Sequence, residues 1–430
     1  MSTHILVLLH GMWGSPVHLA ELHRIVRETI PDPALHILLA ETNKEDGTYD
    51  GIDWGGERVA EEIVAEVEKL KREGRKVTKF SITGYSLGGL VARYVVGILR
   101  QSAFFDEIRP VNFNTIATPH LGLPRYRSLL SSFTSYIGPR LLSRTGEQFF
   151  CADRWSLKGR PLLEVMADPD RIFYQALASF ETIRIYANSV NDRTVPYVTS
   201  AIEVEDPFAL RSITGLEINI NEQHRPLLKS YSVPPVAPPL PVKPTMMSPA
   251  WFKSLKAPML PPRLQFNFPT NLVIYALLPV LIPLFMSLGI VRLSLASRSS
   301  RARIRLLEKD ASGTERLANI LAQLEMQVEG AVVDLIDDDA HAADPPLDDP
   351  ERGTEKGCRS PKSPPEVPIL TSTQRRMAAW LNSLPLKKEL AYFPDVMNAH
   401  ALIICRDVKN FESHRQGEYI VRHWAESFVF

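Results

Sequence analysis

Apolar and polar positions along the first 232 residues follow two alternating patterns. Ile5-Leu6-Val7-Leu8-Leu9 is a continuous apolar run, as in a strand buried on both faces of a parallel sheet. Ile37 to Leu39, Val77 to Ile82, Val111 to Ile116 and Ile183 to Val190 predict further strands. Between the second and third, residues 53–73 repeat at helical spacing. Val59, Ile63, Val67 and Leu70 share one face, Glu and Lys fill the other, and Gly74 ends the helix. Gly84 to Arg100 reads as a turn and a helix. Strands alternating with helices predict an α/β protein, a mostly parallel sheet covered on both faces.

Residues 121–180 interrupt this rhythm with amphipathic stretches such as Tyr126 to Leu142 after a strand end, and read equally as a lid over a site or as an ordinary crossover with one extra helix. From Ser232 the pattern changes. Residues 233–263 are proline-rich and read as a linker. Leu264 to Val291 then carries no charge, and Arg263 precedes it, while Arg292, Arg298, Arg301, Arg303 and Arg305 follow. The stretch exceeds the roughly 20 residues needed to cross a bilayer. Pro279 and Pro283 near its middle predict a bend, so 264–297 reads as a hydrophobic hairpin. Residues 298–370 read as a polar insertion, acidic and proline-rich from 337 on, with a possible helix over 307–336. Order is expected to return near Thr371 with a helix, a strand over Glu389 to Phe393, an apolar run at Ala401 to Cys405 and a last helix from Gly417. The chain has no internal repeat.

Lys plus Arg and Asp plus Glu number 49 each, so the basic excess of a nucleic-acid binder is missing. Cys151, Cys358 and Cys405 form no CxxC pair, which argues against a disulfide framework or a zinc site and for a reducing compartment. The first apolar run is too short for a signal-peptide core and lacks a basic start. Nothing in the pattern specifies an oligomeric state.

The sharpest chemical signal is Gly84-Tyr85-Ser86-Leu87-Gly88, between a predicted buried strand and a predicted helix. A serine on so sharp a turn exposes its hydroxyl, and side chains two residues to either side would collide, which explains both glycines. This is the nucleophile elbow of the α/β-hydrolase fold, with Ser86 as nucleophile. His10-Gly11-Met12-Trp13-Gly14 follows the first strand, where that fold builds half of its oxyanion hole, so the backbone amides of Met12 and Leu87 are nominated. His10 reads as a structural hydrogen-bonder. The acid should follow a later strand, and Asp192 in Asn191-Asp192-Arg193-Thr194-Val195-Pro196 does so. For the base, His224 and His400 both follow candidate strands and spacing does not choose between them. His414 precedes the last helix, His120 precedes the acid and breaks the chain order, and His423 reads as a packing residue. Acyl transfer by such a set needs no metal and no organic cofactor.

The chain resembles the putative serine esterase family of lipase-like hydrolases, which includes fungal phospholipases of lipid droplets. The resemblance rests on His10-Gly11, Gly84-Tyr85-Ser86-Leu87-Gly88-Gly89, Ala117-Thr118-Pro119-His120-Leu121-Gly122 and Asn191 to Pro196. It continues in Asn398-Ala399-His400-Ala401-Leu402-Ile403-Ile404 and Val421-Arg422-His423-Trp424-Ala425. These motifs cover residues 1–210 and 372–430. The resemblance implies His400 as the base, with His224 and His414 as alternatives. It further implies hydrolysis of fatty-acyl esters, of glycerophospholipids or monoacylglycerols.

Ser86 lies before the apolar stretch and His400 after it. If they meet, that stretch must enter and leave a membrane on one face. The arginines after Val291 favour the cytosolic face, and a shallow insertion suits a lipid droplet or the endoplasmic reticulum surface. Two rival readings stay open: an acyltransferase on the same scaffold, separable by products formed with and without acceptor alcohol, and a non-catalytic membrane adaptor, separable by fluorophosphonate labelling.

Overall fold

The computed structural model describes residues 2–156, 158–235, 270–309 and 367–430. Six strands form one sheet: β1 (Ser2–Leu9), β2 (Leu35–Leu39), β3 (Lys76–Tyr85), β4 (Arg109–Ile116), β5 (Thr182–Asn188) and β6 (Leu386–Ala391). Their spatial order is β6-β5-β4-β3-β1-β2. Every pairing is parallel, with Leu9 opposite Gly84 and Ala391 opposite Asn188. The chain leaves β1 in one direction to form β2 and returns on the other side to form β3. At such a reversal the loops beyond the strand ends part, and a crevice opens there.

Alternate residues of each strand serve opposite layers. Ile5, Val7, Leu9, Phe80 and Ile82 pack with α2 (Ile52–Arg72) and α3 (Leu87–Gln101). Leu6, Leu8, Tyr85 and Ile116 pack with α1 (Ala20–Thr29) and with the C-terminal helix Glu418–Glu426. That last helix turns Ile420, Val421, Trp424 and Ala425 inward at helical spacing, and Arg422 and Glu418 pair on its outer side at 2.6 Å. Trp424 is 1% exposed. Removing a buried indole of this kind costs about 3–5 kcal/mol, so the C-terminal segment is part of the core.

Within 121–180 only part projects from the body. The helices Leu162–Ala167 and Ile172–Ala178 lie inside, with Leu162 and Leu163 fully buried and Phe173 stacked 5.1 Å from Tyr94 of α3. The outer part is α4 (Leu129–Leu141), with Phe133 and Tyr136 exposed, while α5 (Ser143–Phe149) after it buries Ser143, Thr145 and Gln148. Arg144 of α5 holds Asp53 through both nitrogens Nε and Nη2, and Gln148 adds a third bond at 3.0 Å. Burial alone would raise the Asp53 carboxyl, but the Arg144 charge and these hydrogen bonds outweigh it and hold it below its ordinary value. Pro368–Ile369 pairs antiparallel with Arg125–Tyr126, and a capping box between Thr371 and Gln374 starts α6 (Ser372–Leu381).

The apolar stretch departs from the predicted hairpin. Thr270–Lys309 is one continuous 40-residue helix running through Pro279 and Pro283; as the apolar helix it is referred to below by that range. Two prolines four residues apart disturb the same face, and the helix resumes beyond them instead of ending there. The helix also absorbs residues 298–309, which the sequence assigned to a polar insertion. The linker over 236–263, residues 264–269 and the segment 310–366 lie outside the described residues.

Candidate active site

Ser86 stands between β3 and α3 with φ 55° and ψ −125°. A left-handed backbone costs a residue with a Cβ about 1–3 kcal/mol and is kept where the surroundings enforce it. Here they do. The Ser86 N–H donates to the Ile116 carbonyl at 2.9 Å. A Cβ on Gly84 would stand 2.4 Å from the Gly88 carbonyl oxygen, and one on Gly88 would stand 2.5 Å from that of Leu9. The glycines let strand, helix and neighbouring strand close around the serine. Trp13, Ala117 and Asn191 also have positive φ, and they sit in the loops after β1, β4 and β5 that surround Ser86.

His400 Nε2 lies 3.0 Å from Ser86 Oγ, and His400 Nδ1 lies 2.9 Å from Asp192 Oδ2. The Ser86 residue is 6% exposed, and the His400 and Asp192 side chains 9% and 2%. The three arrive from far apart in the chain. Pairing of β6 with β5 brings their end loops together. Ala399 N–H donates to the Asn191 carbonyl at 2.9 Å, and Asn191 Nδ2 donates to the carbonyls of Phe393 and Pro394. Asp192 is fixed from all sides. Its Oδ1 accepts from the Thr194 and Val195 amides at 2.9 and 2.8 Å, and its Oδ2 accepts from Asn188 Nδ2 at 2.8 Å. Burial would push this carboxyl up, but the adjacent His400 charge and the bonds from His400, Val195 and Asn188 prevail and hold it low. An ionised carboxylate fixes the tautomer of its imidazole neighbour and stabilises it when protonated.

The loop after β1 lies against the serine. A Cβ on Gly11 would be 2.8 Å from Ser86 Cβ. The Trp13 amide is turned away, donating to Thr48 Oγ1 at 3.1 Å. Leu87 is the first residue of α3, so its amide has no acceptor within the helix and faces the positive end of the helix dipole. Leu87 thus directly follows the serine at the helix start, and Met12 directly follows Gly11 in the loop against it.

The other histidines go elsewhere. His10 Nδ1 bonds the Gly11 carbonyl at 3.0 Å, and burial pushes its imidazole below the ordinary value, which suits a neutral structural role. His120 is buried against Thr115 Oγ1 at 2.9 Å. His224 stacks edge-on with His423 and faces Glu426 at 3.4 Å. His414 accepts from the Asp407 amide at 3.1 Å and stacks on Phe411. Among the described residues, no group of three or more His, Cys, Asp or Glu gathers to hold a metal ion.

Three supporting residues escape the sequence reading: Asn188, Asn398 and Tyr85. Asn398 Oδ1 accepts from the His400 amide at 3.2 Å. The Tyr85 hydroxyl donates to the His400 carbonyl at 2.9 Å, and the two rings lie 5.1 Å apart. Tyr85 fills a variable place in the elbow motif, so its spacing carried no signal. Tyr85→Phe keeps the ring and removes one bond. It is expected to lower kcat about threefold to tenfold, the value of one hydrogen bond, with KM unchanged. Steady-state kinetics on a soluble ester check this, and an undiminished kcat would show that the loop holds His400 without it.

Residues 1–202 match the putative serine esterase family (DUF676). A protein of Schizosaccharomyces pombe named a putative lipase is 32% identical over 47% of this chain and 26% of its own length. Putative lipase ROG1 of Saccharomyces cerevisiae is 26% identical over 54% of this chain and 33% of its own. The chain thus matches about a quarter to a third of the length of these relatives. Among solved structures, phospholipase PlaB from Legionella pneumophila aligns at 13% identity over 45% of this chain and 39% of its own, TM-score 0.28. An alpha/beta hydrolase fold protein from Nakamurella multipartita aligns at 12% identity over 46% and 78%, TM-score 0.24. The α/β-hydrolase fold is read from the strand order and the elbow themselves.

Proposed function

We propose that this chain, whose residues 1–202 carry a putative serine esterase domain, is a serine hydrolase that cleaves fatty-acyl esters of lipids, of the phospholipase or monoacylglycerol lipase type. The observation that carries the reading is the continuous hydrogen-bonded line from Ser86 through His400 to Asp192, at 3.0 and 2.9 Å, beside the Gly11 loop. His400 takes the proton from Ser86 as Oγ attacks the ester carbonyl. The Asp192 carboxylate stabilises the imidazolium. The Met12 and Leu87 amides receive the tetrahedral oxyanion, each worth about 3 kcal/mol at the transition state. His400 then returns the proton to the leaving alcohol, and a water activated in the same way releases the acid.

A lipid substrate is favoured by the apolar helix. Leu277, Val280, Phe285, Met286, Leu288 and Val291 are all exposed, far more apolar surface than a protein surrounded by water leaves open. The hydrolase core continues on both sides of this helix in the chain, so the helix, unbroken along its length, lies along a lipid surface rather than crossing it. The basic foot that follows it favours anionic head groups on the cytosolic side, on a lipid droplet or the endoplasmic reticulum.

Purified protein incubated with vesicles of mixed phospholipids and monoacylglycerols is expected to release free fatty acid together with lysophospholipid or glycerol, identified by mass spectrometry. Protein that floats with the vesicles and leaves every ester intact would overturn the lipase reading. Tags at both termini should be digested alike when protease is added to sealed vesicles; protection of one alone means that the chain crosses the bilayer.

A further inference from the structure

The apolar helix does not float free of the hydrolase. Its basic third is seated by Ser297, Ser300 and Ile304, all buried and spaced to share one face. Ser297 Oγ donates to the Arg140 carbonyl at 3.0 Å, and Ser143 Oγ donates to Ser300 Oγ at 3.2 Å, so this foot rests on α4 and α5. At the centre is Asp50, whose side chain is 2% exposed. Its carboxylate accepts from Ser300 Oγ at 2.7 Å, from Arg303 Nη2 at 2.8 Å and from Arg58 Nη1 at 3.0 Å. Arg303 also donates to the Asp46 carbonyl at 2.8 Å. A buried carboxylate needs a partner, and Arg58 of α2 alone would supply one. The second arginine and the serine come from the helix whose other end is apolar and exposed.

Asp50 closes a short turn, Glu45–Tyr49, that has a second side. There Thr48 Oγ1 accepts the Trp13 amide at 3.1 Å, and the Tyr49 hydroxyl accepts Trp13 Nε1 at 2.8 Å. The Glu45 amide donates to the Gly14 carbonyl at 2.9 Å. These bonds end on the loop that holds Gly11 against Ser86. One turn of chain is therefore clamped between the foot of the apolar helix and the oxyanion loop.

We propose that Asp50 is a positioning residue through which the seating of this helix on a lipid surface sets the oxyanion loop, so that hydrolysis is faster when lipid is present. The inference rests on the ester-hydrolase reading above. Arg303 and Ser300 are the sensing side of the joint, and Tyr49 and Thr48 are its output. The loop's own bond, from the Gly14 amide to the Gly11 carbonyl at 3.0 Å, closes a tight turn with little room to drift independently.

The full chain tests it, with a soluble short-chain ester as substrate and vesicles of ether-linked phosphatidylcholine, which offers a surface and no cleavable ester. Active sites are counted by fluorophosphonate titration, so misfolded protein does not enter kcat. Wild-type kcat is expected to rise about fivefold on adding the vesicles, with KM within about twofold, and Arg303→Gln should remove that rise. Without Arg303, Tyr49→Phe should lower kcat little further, because both act through one turn. Vesicles that leave wild-type kcat unchanged, or that raise it equally in Arg303→Gln, overturn the coupling. Multiplying losses in the double variant also overturn it. A wild-type protein that neither hydrolyses the ester nor takes up the probe at Ser86 overturns both the coupling and the hydrolase reading.

Discussion

Alanine at position 86 is expected to lower kcat for ester hydrolysis about a millionfold and to abolish fluorophosphonate labelling. The substitution leaves Cβ in place, so the contact with Gly11 and the left-handed backbone at the elbow impose no new strain. An unfolding transition matching the wild type separates lost chemistry from lost structure. A residual acceleration of about a thousandfold over water should survive, from the oxyanion amides and substrate binding. Wild-type turnover by Ser86→Ala would remove the nucleophile and with it the mechanism.

His400→Ala is expected to be about as severe as Ser86→Ala, and the double variant no worse than either, because the two side chains act as one unit. His224→Ala and His414→Ala should stay within about twofold of wild type, since their partners are His423 and Glu426 in one case and Phe411 and Asp407 in the other. Steady-state kinetics on the three variants at matched stability decides. A dead His224→Ala beside an active His400→Ala would place the base within residues 1–232.

The strands that matter most were legible because they are buried on both faces. Ile5 to Leu9 and Val77 to Ile82 need no partner to be recognised, and β1 and β3 contain them. The elbow was legible for a related reason: Gly84 and Gly88 answer to atoms within a few residues or on the adjacent strand. His400 was not chosen by spacing, because its place depends on β6 pairing with β5 across a long insertion, a contact that leaves no local trace. Tyr85 was invisible for the same reason, since its partner is His400, whereas Asn188 lies only four residues before Asp192 but in no motif that marks it as a donor. The prolines misled: each is locally a helix breaker, yet one helix runs through both. Asp50, Ser300 and Arg303 look like ordinary surface residues until the fold gathers them around one carboxylate.

The position of β6 has a consequence for how the protein is made. A ribosome delivers the nucleophile, the acid and the oxyanion loop with the first 202 residues, then roughly 200 more before the base emerges, about 10–40 s later at ordinary elongation rates. During that interval β5 waits with one edge unpaired, and the elbow holds a serine with nothing to take its proton. The apolar helix leaves the ribosome within the same interval. By chain order, then, the apolar helix is complete before the last member of the Ser86–His400–Asp192 line is made, and that line can close only after the helix has emerged.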